Sequence, residues 1–190
     1  MPSIIDYSIV LQSLTSQGLI CHYYNGGSFG FPESATPMIR GWIGPADETI
    51  RAAARDHIRQ VPPPFEATLS DWASRAWRGI LPGKVWIMPA SHWSFELSHG
   101  NGHWLPDLLR NVGIDPGLLI GRTDASALEF LPDEPDCFKL VVQGLLSGLS
   151  ASDFTMAFPG LDAVCMIHHH KQLWWVSADQ PTVRHLDEIG

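Results

Sequence analysis

The sequence predicts an α+β fold: a mixed or antiparallel sheet that ends in a three-strand meander and carries its helices packed on one face. Two observations predict it. Apolar residues recur at helical spacing through the first three quarters of the chain, whereas three strand-like runs joined by short links close it. No internal repeat, low-complexity tract or block of charge divides the 190 residues, so residues 1–190 read as one globular domain. A chain of that length buries roughly 70% of the surface its unfolded form exposes, which is enough for a substantial core.

Ser3, followed three residues later by Asp6, resembles a capping box, and Ile5, Ile9 and Leu14 hold one helical face until Gly18 supplies a stop. Residues 19–24 then alternate and are rich in β-formers, so a strand enters the loop Asn25-Gly26-Gly27-Ser28-Phe29-Gly30. Residues 40–43 make another short strand. Ile50, Ala53, Ala54, His57 and Ile58 fall at i, i+3, i+4, i+7 and i+8 and predict an amphipathic helix. Pro62-Pro63-Pro64 cannot continue it and forms a rigid connector, which makes 61–65 the one plausible internal hinge. Leu69, Trp72, Ala73, Ala76, Trp77 and Ile80 repeat the helical spacing.

A short apolar strand at 84–88 is closed by Pro89, and 91–104, which has no clean period, reads mostly as loop. A helix at 104–112 stops at Gly113, Asp115-Pro116 caps one further turn, and 127–131 has strand character. Beyond Pro135, Phe138, Val141, Val142, Leu145 and Leu146 mark a helix whose acidic amino end suits the helix dipole. The runs 153–158, 163–169 and 172–177 are the closing strands. Pro159-Gly160 and a tight polar turn near His170-Lys171 link them, and such short links favour an antiparallel meander.

Composition narrows the function. Hydrophobic residues make up 45% of the chain and charged residues 17%, the reverse of a disordered segment. A formal net charge of −8 offers no positive field to phosphates, which argues against nucleic acid and suits a neutral small molecule or a basic protein. No basic-then-apolar leader opens the sequence and no apolar run approaches the ~20 residues that cross a bilayer, so a cytoplasmic protein without a membrane partner is expected. Cys21, Cys137 and Cys165 are widely spaced with no CxxC pair, as expected of free thiols in a reducing compartment.

The densest polar and aromatic stretch runs from Ser91 to Trp104 and holds His92, Glu96, His99 and His103. A divalent transition metal such as zinc requires imidazole or carboxylate donors converging from three or four directions, and a glycine-loosened loop could gather these four. His168 and His170 extend the set, because on a strand they share one face while His169 takes the other. None of these spacings forms an HExxH or zinc-finger pattern, and the plain alternative is hydrogen bonding in a groove or a solvated turn. There is no GxSxG elbow, and Cys21-His22 would face opposite ways on a strand. The glycine loop lacks a Gly-Lys-Ser/Thr ending and runs into Pro32, so it reads as a flexible hairpin or ligand gate lined by Phe29 and Phe31 rather than a phosphate cradle.

Eight tryptophans supply the rest of the signal. In Trp174-Trp175 one ring faces the core and the other a groove, and Phe29, Trp93, Trp104, Trp174 and Trp175 are the candidate ligand-binding aromatics. The leading expectation is a non-catalytic, cofactor-free domain that binds a protein or small ligand in an aromatic-histidine groove between 91–104 and the final hairpin. Two alternatives stand beside it. One is a small metal-dependent, hydrolase-like enzyme with His92, His99, His103, His168 and His170 as ligands and Glu96 as general base or ligand. The other is an acidic inhibitor or immunity-type protein that neutralises a basic partner.

Overall fold

A computed structural model describes residues 1–35, 39–45 and 58–189. In chain order the elements are β1 (Ser3–Ile5), α1 (Tyr7–Ser16), β2 (Ile20–Cys21), β3 (Phe29–Gly30), β4 (Ile39–Gly44), β5 (Ile58–Gln60), α2 (Phe65–Gly79) and β6 (Val85–Pro89). There follow α3 (Trp93–Phe95), a π-turn (Glu96–Gly100), α4 (Leu105–Asn111), a 3₁₀ turn (Pro116–Leu118), β7 (Ala127–Phe130), α5 (Pro135–Gly148), β8 (Phe154–Ala157), β9 (Ala163–His168), β10 (Gln172–Ser177) and α6 (Gln180–Glu188). Eight strands form one sheet in the order β1-β7-β6-β8-β9-β10-β4-β5, with β2 and β3 as a separate ribbon. The sheet is mixed because β4 and β5 are parallel, and β8, β9 and β10 form the expected antiparallel meander.

Strand alternation divides the sheet into two chemically different faces. Val85, Ile87, Leu128, Phe130, Phe154, Met156, Cys165, Ile167, Leu173 and Trp175 belong to the larger core. The helices α2 and α5 close over it with Leu69, Trp72, Trp77, Phe138, Val142 and Leu145, and the Trp77 and Phe138 rings meet at 4.7 Å. Each such large apolar side chain contributes about 1.5–3 kcal/mol by burial. On the other face Trp86, Met88, Ala127, Ala157 and Val164 pack under α1 and the β2–β3 ribbon. Farther along, that face changes character. Register sets Thr155, Met166, Trp174 and Trp42 in one row across four strands, with His168 beside Gln172 next to it.

Several expectations are corrected. Ser3 does not cap a helix: the β-branched Ile4 and Ile5 take the open edge of β7, and α1 starts after Asp6, whose carboxylate instead accepts from Arg122 at 2.9 Å. Gly18 does end α1, at φ 86°, with Leu19 N–H reaching Leu14 and Gly18 N–H reaching Thr15. The segment 91–104 is mostly helical rather than loop, because Asn101 N–H bonds the Glu96 carbonyl five residues back, a period that apolar spacing does not reveal. The glycine loop is anchored. Gly27 N–H donates to the Pro89 carbonyl at 3.0 Å, a side chain at Gly27 would lie 2.4 Å from that oxygen, and Phe29 and Phe31 are buried. Residues 50–57 of the amphipathic helix expected over 50–58 lie outside the described residues, and Ile58 opens β5. The helix α6 is an addition: Asp179 caps it by accepting from Thr182 N–H at 2.9 Å, and Val183 and Leu186 enter the core. Among the described residues no helix is long and apolar enough to cross a membrane.

Candidate functional site

The ends of β6 and β8 lie side by side, and Ala90 N–H ties them by donating to the Asp153 carbonyl at 2.9 Å. Together with the tip of the β2–β3 ribbon they enclose an open cleft of about 320 Å³, lined by Tyr23, Tyr24, Ser91, His92, Phe95, Ser152 and Asp153 among others. The glycines explain the rim: Gly26 and Gly27 press backbone against Ala90 and Pro89, which leaves Tyr23 and the 97% exposed Tyr24 standing over the opening. On the far side Ala151 is held at φ 58°, a left-handed conformation that costs a non-glycine residue about 1–3 kcal/mol and that aims Ser152 and Asp153.

Behind the wall lies Glu96, 0% exposed. Its Oε1 accepts from Ser91 Oγ at 2.5 Å, and its Oε2 from Asn101 Nδ2 at 2.6 Å and Ser152 Oγ at 3.1 Å. Asn101 also donates to Ser152 at 2.7 Å. This carboxyl therefore braces both walls of the cleft from within, and no histidine joins it. His92 lines the cleft, where its Nδ1 accepts the Phe95 N–H at 3.2 Å, so in the neutral ring the proton sits on Nε2. The exposed Phe95 meets His92 edge-on at 6.2 Å and stacks with exposed His99 at 6.4 Å, an aromatic-histidine strip along the rim. His103 is exposed and apart from them.

A second group adjoins through Asp153. Its Oδ1 accepts from both the backbone N–H and Nδ1 of His169, at 2.9 and 2.8 Å, and its Oδ2 lies 4.0 Å from His168 Nε2. His168, His169 and His170 each offer a nitrogen within 4.8 Å of the others, and among the described residues they are the one group of three or more potential metal ligands. The expectation that His169 faces away from His168 and His170 is corrected, because β9 ends at His168 and the turn, with Lys171 at φ 60°, curls all three rings together. His92, His99 and His103 do not join them.

The structure gathers few of the candidate aromatics. Trp93, Trp175 and Phe29 are core residues, and Trp93 Nε1–H donates to the Ser126 carbonyl at 2.6 Å. Trp104 packs against Gly148 of α5. Trp174 alone has its ring on the polar face, stacked on His168 at 4.2 Å and anchored by its Nε1–H to Gln172 Oε1 at 2.7 Å. The two expected halves, 91–104 and the final hairpin, meet through 151–153 instead of directly. Tyr23, Tyr24, Ser91, Phe95, Ser152, Asp153 and His169 were not among the sequence candidates. Ser91 and Phe95 lie in the stretch 91–104 that the sequence singled out, His169 lies in the histidine triplet, and Asp153 opens a predicted strand. A wider groove of about 450 Å³ lies between α2 and α5, where Asp71 engages both Arg75 and Lys139 at 3.0 Å. No protein-family model, curated protein or solved structure matched this chain.

Proposed function

We propose that this chain is a recognition domain whose cleft receives a cationic side chain, the lysine or arginine of a basic protein partner. The observation that carries this reading is the pairing of an acidic group with an aromatic rim: Asp153 lines the same opening as Tyr23, Tyr24 and Phe95. A cation over such a ring gains about 0.5–2 kcal/mol, and the carboxylate adds charge selectivity that neutral ligands do not use. The net charge of −8 favours approach of a basic partner. Bracing by Glu96 and strain at Ala151 support a site built to hold its shape.

The test is a calorimetric titration with a short Lys/Arg peptide at low salt, beside an acidic peptide of equal length. Saturable binding of the basic peptide alone, weakened roughly fivefold by Tyr24→Ala, is expected, since one cation–aromatic contact is worth about 1 kcal/mol. Equal binding of both peptides, or indifference to Tyr24→Ala, would overturn the reading.

A further inference from the structure

We infer that the β9–β10 turn is a binding site for a divalent transition metal of the zinc, nickel or copper class, with His168, His169 and His170 as ligands. Three features separate it from a merely solvated turn. First, the three imidazoles present nitrogens within 4.8 Å of one another. Tetrahedral zinc with Zn–N bonds of about 2.0–2.1 Å sets its nitrogens about 3.4 Å apart, so closure requires movements of roughly 1.4 Å or less. His170 is exposed on the turn, where a change of side-chain rotamer covers that distance.

Second, Asp153 orients His169 as a carboxylate orients a metal-binding imidazole: its Oδ1 accepts from Nδ1–H at 2.8 Å, which leaves the Nε2 lone pair as the donor to a metal. Third, His168 is buried and clamped. Its ring lies between Trp174 and His169, each at 4.2 Å, and Trp174 is itself tied to buried Gln172. His168 Nδ1 accepts the His170 N–H at 3.2 Å, so ligation through Nε2 moves the ring proton to Nδ1 and releases that one turn bond. Borderline ions that favour imidazole fit this donor set; calcium and magnesium, which prefer oxygen, do not.

The experiment is titration of the untagged full chain with Co²⁺, read by its visible d–d absorption, followed by displacement with Zn²⁺. One equivalent is expected to bind, with a band typical of low-coordinate nitrogen ligation. His170→Ala, at an exposed position, is expected to weaken binding at least tenfold, and Asp153→Asn by roughly 10- to 100-fold as an outer-shell change. His99→Ala and Tyr24→Ala are expected to leave it unchanged, which separates this site from the peptide cleft. Zn²⁺ should raise the thermal midpoint of the native chain and not that of His170→Ala. No stoichiometric band, or an affinity unmoved in His169→Ala/His170→Ala, would overturn the inference.

Discussion

Replacing Glu96 by alanine tests whether the cleft is braced from inside. In the native chain this fully buried carboxyl accepts from Ser91, Asn101 and Ser152. After truncation the two serines, which line the cleft, can turn to water, so each lost bond counts at about 0.5–1 kcal/mol. Asn101 is 0% exposed and keeps its donation to Ser152. Its other N–H is left buried without an acceptor, at about 1–3 kcal/mol. The central expectation is a loss of about 3 kcal/mol. For a domain of this size that lowers the midpoint by about 6–12 °C. Glu96→Gln keeps the shape and one acceptor oxygen, and the serine hydroxyls can reverse, so it should lose about half as much. Urea unfolding followed by tryptophan fluorescence reads both variants, and a Ser91→Ala/Glu96→Ala cycle should be non-additive. A loss below about 0.5 kcal/mol for Glu96→Ala, the range of an uninvolved surface position, would refute the bracing argument.

Thiol chemistry and acid provide two more checks. Complete burial pushes the Cys165 thiol far above its ordinary range, whereas Cys21 and Cys137 are partly accessible. A thiol-titrating disulfide reagent should therefore label two cysteines in the native protein and the third only after denaturant is added. Hydrogen bonding to Lys171 holds the Glu66 carboxyl below its ordinary value of 4.5, and Lys139 does the same for Asp71. Folded pKa values below the unfolded ones mean that the unfolded chain binds more protons, so these pairs stabilise above the unfolded pKa and fade as pH falls through the folded one. Both pairs are partly exposed, so each is worth about 0.2–1 kcal/mol. The difference in unfolding free energy between native and Lys171→Ala chains should shrink between about pH 6 and pH 3. A difference that stays constant or grows would contradict the assignment.

Much of the sheet and the two main helices were legible because their signals are local. Alternation bounded by Pro159-Gly160 and the His170-Lys171 turn located β8, β9 and β10, and the spacing of Leu69, Trp72, Ala73, Ala76 and Trp77 located α2. Local signals failed where a distant partner decided the outcome. Ser3–Ile5 resembled a helix start until the edge of β7 captured it. The π-turn at Glu96 follows neither period, and the Asp179-Gln180-Pro181-Thr182 cap of α6 was present but trails only two buried apolar residues. The candidate site was the least legible part. Its carboxylates and hydroxyls converge because β6 neighbours β8 in the sheet, and strand order does not follow from any window of residues. His168 and His170 were visible as a pair, but the turn that recruits His169 depends on a backbone angle at Lys171 that few non-glycine residues adopt.

Trp174 and Trp175 are consecutive residues with unlike surroundings, one ring stacked on an imidazole and the other enclosed in the aliphatic core. A single peptide unit thus carries two optical probes of separate events. Emission lost on Trp174→Phe should report proton or ion chemistry at the neighbouring imidazoles, and emission lost on Trp175→Phe should follow loosening of the core. Subtracting each variant's spectrum from the native one would show whether occupancy of the turn is transmitted through one strand to the centre of the molecule.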